Sequence, residues 1–179
     1  RHKVKAFTVV ADAAMISMEN IEALKQNNIN YIVAARLANL SNDLIAEIDK
    51  TICREDGKSI RIATDNGYLI CSYSSARHRK DKYEMEKQIE RAKYIISHAS
   101  KNKKLKFTKA KWHKIELNQK LIDKTQKILG IKGYYTNLEE HTVSNATIRE
   151  RYHELYKIEQ AFRISKSDLQ TRPIFHYKE

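Results

Sequence analysis

Five residues toward the carboxyl-terminal end of this 179-residue chain share one helical face and carry unlike chemistry. Within residues 148–172 (IRERYHELYKIEQAFRISKSDLQTR), Tyr152, Leu155, Glu159, Phe162 and Lys166 recur at steps of three and four, the spacing of one side of a helix. Tyr152, Glu159 and Lys166 are separated by two turns each, with Leu155 and Phe162 between them. A stripe that periodicity marks as apolar therefore carries a phenol, a carboxylate and an ammonium. An ionised Glu on a buried stripe is costly unless it is paired or binds a metal. Glu159 is thus either a metal-ligating carboxylate or one that pairs with Lys166 or faces water.

A second carboxylate stands at the other end of the chain. Residues 4–11 (VKAFTVVA) are β-branched and apolar, the pattern of a buried strand, and the run stops at Asp12. Open α/β sheets place functional groups at the carboxyl ends of such strands. The alternative for Asp12 is a solvated turn carboxylate. Ser17 is placed to cap a helix over MENIEALKQNN, with Glu19 in its first turn, Ile21, Leu24 and Lys25 on its inner side, and Asn27-Asn28 closing it. Residues 31–35 (YIVAA) read as a second buried strand. Strand, helix, strand with short links predicts a parallel pair.

The spacing Tyr152-x2-Leu155-x3-Glu159-x6-Lys166 resembles the Tyr-x2-Arg-x3-Glu-x6-Lys signature of bacterial insertion-sequence transposases with a DDE catalytic core. The surrounding text YKIEQAFRISKSDLQTRPIFHYKE is similar to the same helix in one branch of that family, and VVADAAMISMENIEALKQNNINYIVAARLANL looks like its segment around the second catalytic Asp. The resemblance implies that Asp12 and Glu159 are the second and third catalytic, metal-binding carboxylates. It implies that Tyr152 and Lys166 contact DNA phosphates; Arg163 and Arg172 are further candidates by proximity. Two departures stand out. Leu155 occupies the signature's Arg position, so that contact is absent or supplied by Arg151 or Arg163, and Ala13-Ala14 replace a charged residue and Gly.

The fold so implied is α/β, a ribonuclease H-like catalytic core lacking its first strands, with a basic β-rich and helical insertion. Residues 1–40 would be strand-helix-strand of the core, 41–128 the insertion, and 129–179 the return strand and catalytic Glu helix. The chemistry is two-metal phosphoryl transfer by two Mg²⁺ (or Mn²⁺) ions ~3.5–4 Å apart, for which carboxylate oxygens are suited ligands. The partners are DNA, as transposon terminal inverted repeats and target, and a second copy in a homodimer. The family's first Asp lies further upstream of Asp12 than this chain extends. The chain is therefore expected to be an internal piece, inactive in strand cleavage and transfer alone.

Between these ends the chain is basic. The formal net charge is +12, and residues 77–114 hold 14 Lys or Arg against 4 Asp or Glu, a local net of +10. Such an excess favours polyanions, nucleic acid or acidic lipid. Phe107 and Trp112 punctuate the basic run, a mixture suited to DNA backbone contact, and weaker order is expected over 97–104. A short helix is expected at 42–50, a short turn or helix at 119–126, a hairpin over 58–72 turning at Asp65-Asn66-Gly67, and a helix with Met85, Ile89, Ala92 and Ile96 in register. A strand is expected over 129–138, with Ser144 or Thr147 capping the Glu159 helix. Cys53 and Cys71 are too few for a disulfide framework, and no apolar run approaches ~20 residues, which suits a cytoplasmic, nucleoid-associated protein. Two other functions fit the residues: a non-catalytic basic nucleic-acid-binding module, and a metal-dependent nuclease of the same fold.

Overall fold

The computed structural model describes residues 7–13, 17–98, 105–111 and 114–167. Its centre is a five-stranded mixed sheet. The first strand, β1 (Thr8–Ala11), pairs in parallel with β2 (Asn30–Ala35) through the helix α1 (Met18–Gln26), as the alternation of the sequence predicts. Ser17 caps α1 by accepting from the Asn20 N–H, and Asn28, at a φ of 53°, turns the chain back toward β2. A 3-10 turn, Leu37–Asn39, leads to α2 (Asn42–Thr51), capped by Ser41.

The hairpin then forms at the expected place. β3 (Ser59–Thr64) and β4 (Gly67–Tyr73) pair antiparallel around Asp65-Asn66. Gly67 takes a φ of +87°, and a Cβ there would lie 2.4 Å from the Thr136 carbonyl oxygen, so only glycine fits. Helix α3 (Ser75–Ser97) follows, with Met85 and Ala92 buried in the predicted register. β5 (Thr108–Lys111) and β6 (Lys114–Leu117) make a separate two-stranded ribbon, and α4 (Gln119–Lys127) follows it. β7 (Ile131–Thr136) then inserts antiparallel between β2 and β4, giving the order β1-β2-β7-β4-β3. The hairpin expected within the 41–128 insertion thus lies in the same sheet as β1, β2 and β7, because β7 bonds to β2 on one side and β4 on the other.

Strand alternation sorts the core into two layers. Tyr31 and Val33 face Ile21 of α1, while Leu69, Cys71 and Ile131 face Ile48 and Ile52 on the α2 side. The other face carries Ile32, Ile70 and Tyr134 against Ile148 and Tyr152 of α5 (Asn145–His153). Ser144 caps α5 by accepting from the Thr147 N–H at 3.2 Å. A third cluster beneath α3 and α4 contains Met85, Phe107, Ile122 and Leu129. Phe107 is fully buried there, so it is a core residue and not an exposed aromatic for DNA. Its basic neighbours follow the ribbon while the ring anchors that ribbon to α3. Trp112 and residues 99–104 lie outside the described residues, so most of the expectation for 97–104 falls there.

The long helix expected over 148–172 is two. α5 ends at His153, and after Glu154 the helix α6 (Leu155–Ser167) begins. Burial divides the predicted stripe at the same point. Tyr152 is buried and Leu155 partly so, but Glu159 and Phe162 are exposed, Phe162 at 64%. The physical reason is that α5 packs on the sheet, whereas α6 beyond Leu155 leaves Tyr156, Ile158 and Phe162 exposed.

Arg61 of β3 fixes α5 to the sheet. Its guanidinium donates to Asn145 Oδ1 (2.9 Å), the Leu138 carbonyl (2.8 Å) and the Val143 carbonyl (3.1 Å), and it lies 5.1 Å from the Tyr68 ring centroid. Removing a charged donor that satisfies partly buried carbonyls costs about 1–3 kcal/mol. Arg61→Met is therefore expected to lower unfolding stability by about 2–3 kcal/mol in urea titration; an unchanged midpoint would show that α5 is held by packing alone.

Candidate functional site

The site forms where several elements end at one edge of the sheet. β1 and β2 deliver Asp12 and Arg36 just beyond their carboxyl ends, β4 ends at Tyr73 and turns into α3, and antiparallel β7 begins there with Ile131 and Lys132. Asp12 follows Val10 in the period-two alternation, so it lies on the α5 face of the sheet. Lys132 and Tyr134 share that face. Asp12 and Lys132, with Tyr152 of α5, line a cleft of about 450 Å³.

The Asp12 carboxylate is held from two sides. Its Oδ1 accepts from the Ala13 backbone N–H at 2.7 Å and from the Tyr152 hydroxyl at 3.2 Å. Among the described residues its Oδ2 accepts no hydrogen bond. The phenol thus fixes the carboxylate's rotation and leaves one oxygen available. Tyr152 was expected to touch phosphate; here its hydroxyl is committed to Asp12. Its ring is packed 4.9 Å from that of Tyr134, and burial, then the Asp12 charge and hydrogen bond, push its phenol up to about 12.

Glu159, on α6, is exposed. Its charge nonetheless reaches the same two groups as Asp12: both carboxylates favour the charged form of Lys132 and disfavour ionisation of Tyr152. The two candidate carboxylates therefore converge on one pair of side chains from opposite ends of the sequence. Arg163 lies one turn beyond Glu159 and lines a shallow depression with it and Phe162. Lys166 belongs to α6, but its side chain, like the whole of Arg172, lies outside the described residues.

Lys132 escaped sequence reasoning. It sits in a strand of otherwise apolar and aromatic residues, IKGYYT, where a lone Lys interrupts the run. That interruption was the available signal. Its Nζ stands 4.3 Å from the Tyr152 ring centroid and 5.6 Å from that of Tyr134. Burial lowers its pKa first and Arg77 adds to this, while Asp12 and Glu159 oppose both. Arg77, in the first turn of α3, was read only as part of the basic run; it bridges Asp81 at 3.3 Å, and Asp81 also accepts from the Gly130 N–H.

Two carboxylates with a free oxygen on Asp12 are hard oxygen donors of the class that holds Mg²⁺ or Mn²⁺. Asp12 and Glu159 therefore fit such an ion by donor chemistry, although among the described residues no group of three His, Cys, Asp or Glu gathers around one point. Among the same residues, no helix is long and apolar enough to cross a membrane. In comparisons with family models, curated proteins and solved structures, nothing matches this chain.

The tyrosine site has a spectroscopic consequence. An ordinary phenol titrates near 10, whereas Tyr31 and Tyr152 are each pushed up to about 12. A raised phenol pKa means that the fold favours the neutral form, so this stabilisation is complete below about pH 10 and is lost as pH rises through about 12. Ultraviolet titration of the ten tyrosines should show a late-ionising class; Tyr152→Phe should remove one member of it, and Asp12→Asn should move that member to lower pH. If Asp12→Asn leaves the late class unchanged, the hydroxyl is not coupled to Asp12.

Proposed function

We propose that this chain is part of a DNA transposase of the cut-and-paste insertion-sequence type, with a ribonuclease H-like core that cleaves and transfers DNA strands by metal-dependent phosphoryl transfer. The observation that carries this reading is the Asp12 carboxylate held by the Tyr152 hydroxyl beside Lys132 at the strand-end edge of a mixed sheet, with the Glu159 charge acting on the same tyrosine and lysine. The order of residue types along the chain, a strand-end Asp followed much later by Tyr-x6-Glu-x6-Lys, supports it independently.

Asp12 and Glu159 would hold Mg²⁺ or Mn²⁺. When bound, such ions activate the attacking water or 3′-hydroxyl and stabilise the leaving oxygen. The chain's own residues prepare that chemistry. Tyr152 and the Ala13 N–H hold one oxygen of the Asp12 carboxylate, and the other accepts no hydrogen bond among the described residues. The packing of the Tyr152 ring against Tyr134 fixes the hydroxyl that holds the exposed Asp12 carboxylate. Arg163 and Lys166, on the helix that carries Glu159, would take DNA phosphates, with Arg172 as a further candidate. The basic surface of α3 would attract the duplex, and a homodimer would bridge two ends.

Exposure of Glu159 favours a second reading, a basic nucleic-acid-binding module in which that carboxylate simply meets solvent. One experiment separates them. Binding of a labelled duplex is measured with EDTA and with Mn²⁺. Under the transposase reading, Mn²⁺ strengthens binding to the wild-type chain, and Asp12→Asn or Glu159→Gln abolishes that increment while leaving binding in EDTA intact. A metal-independent affinity that is equal in all three proteins sinks the transposase reading.

A further inference from the structure

Four basic side chains, Arg36, Arg77, Lys106 and Lys132, line the cleft, and the proposed phosphoryl-transfer chemistry uses none of them; Lys132 and Arg77 are the pair whose charges act on one another. Lys132 is half-buried at the start of β7, and Arg77 projects from the first turn of α3 into the same cleft. Burial raises the cost of the Lys132 charge, and the exposed Arg77 guanidinium adds to it. Holding two like charges together in a partly desolvated cleft is unfavourable unless something anionic lies between or beside them.

The carboxylates nearby do not fully supply that anion. Among the described residues, Lys132 has no ion pair within 4.0 Å, and its Nζ donates no hydrogen bond. The ammonium is instead held over the Tyr152 ring, and more distantly over that of Tyr134. A cation–π contact engages the charge but not the N–H groups, so an ammonium held this way keeps its donors. Arg77 is in a similar position. It meets Asp81 through Nε, and its two Nη groups donate no hydrogen bond among the described residues. Asp81 meets only the Nε of the fork, through the same Oδ2 that accepts from the Gly130 N–H.

A point cation with free donors beside a planar fork with free donors suits a phosphate group. We propose that Lys132 and Arg77 form a phosphate-binding subsite in the cleft beside Asp12, which takes one or two backbone phosphates of a nucleic-acid strand and so aligns that strand with the carboxylates. The proposal rests on the transposase reading for its substrate, but the subsite itself needs no metal. Lys132 and Arg77 are substrate-positioning residues, and they come from β7 and α3, not from the Tyr152–Lys166 face.

Counter-ion release tests this directly. Each cation that neutralises a duplex phosphate contributes about 0.9 to the slope of log affinity against log salt. Binding of a labelled ~20-base-pair duplex to the full chain is measured in EDTA over a range of salt, for wild type, Lys132→Met, Arg77→Met and Lys132→Arg, with folding checked by circular dichroism. The expected result is a slope smaller by about 0.9 for each Met variant, additive in the double variant, with Lys132→Arg close to wild type. Lys132→Gln replaces Lys132→Met if the latter does not fold. Slopes equal to wild type in both single variants overturn the subsite.

Because the assay excludes metal, the outcomes are separable. If Asp12→Asn and Glu159→Gln show no loss of a metal increment while the Lys132 and Arg77 slopes still fall, the transposase reading fails and the subsite stands. The reverse pattern leaves the transposase reading in place and removes the subsite.

Discussion

The pairing of β7 between β2 and β4 is the constraint on which the rest of this molecule depends. β7 lies about a hundred residues from β2 in sequence, and only its insertion turns a βαβ unit and a remote hairpin into one sheet. Its register is held by polar contacts as well as the ladder. The buried Thr136 hydroxyl donates to the Tyr31 carbonyl at 2.7 Å and accepts from the Leu138 N–H, while Asn137 accepts from the Tyr31 N–H and donates to the Ile29 carbonyl. A slip of one residue would reverse every side chain of β7. Ile131 and Lys132 would exchange faces, and the Lys132 ammonium would leave the Tyr134 and Tyr152 rings.

The same insertion explains the electrostatics of the site. An antiparallel strand begins where its neighbour ends, so the start of β7 meets the ends of β1 and β2 at one edge. A cation from β7 therefore lies beside a carboxylate that follows β1. The helix α5, held on that face by Arg61 and by packing of Ile148 and Tyr152, brings a phenol between them. The ring supports Lys132 on its face and orients Asp12 through its edge hydroxyl. One side chain thus sets the geometry of a cation and an anion at once. That role differs from the direct phosphate contact that the resemblance implies for Tyr152, and it follows from its depth in the core.

Much of this is legible in the amino-acid sequence. The β-branched runs ending at Asp12 and at Ala35, the Asp65-Asn66-Gly67 turn, the caps Ser17 and Ser144, and the Met85–Ala92 register are local patterns, governed by interactions a few residues apart. The candidate carboxylates were also legible, because a Glu on an apolar stripe and an Asp at a strand end conflict with simple burial. Phe107 misled for the opposite reason: it is flanked by lysines, and only the approach of α3 and α4 decides that the ring turns inward.

By itself, then, the sequence determined the elements, their caps and turns, the basic middle and the unlike residues worth suspecting. Only the tertiary structure decided that the hairpin joins the central sheet, that the Tyr152–Glu159 stripe breaks into a buried half and an exposed half, and that Lys132 and Arg77 line one cleft with Asp12. The physical reason is range. Periodicity and capping act over one or two turns of chain, whereas the neighbours of a cleft residue come from strands and helices joined by long-range pairing, whose partner and register no local pattern specifies.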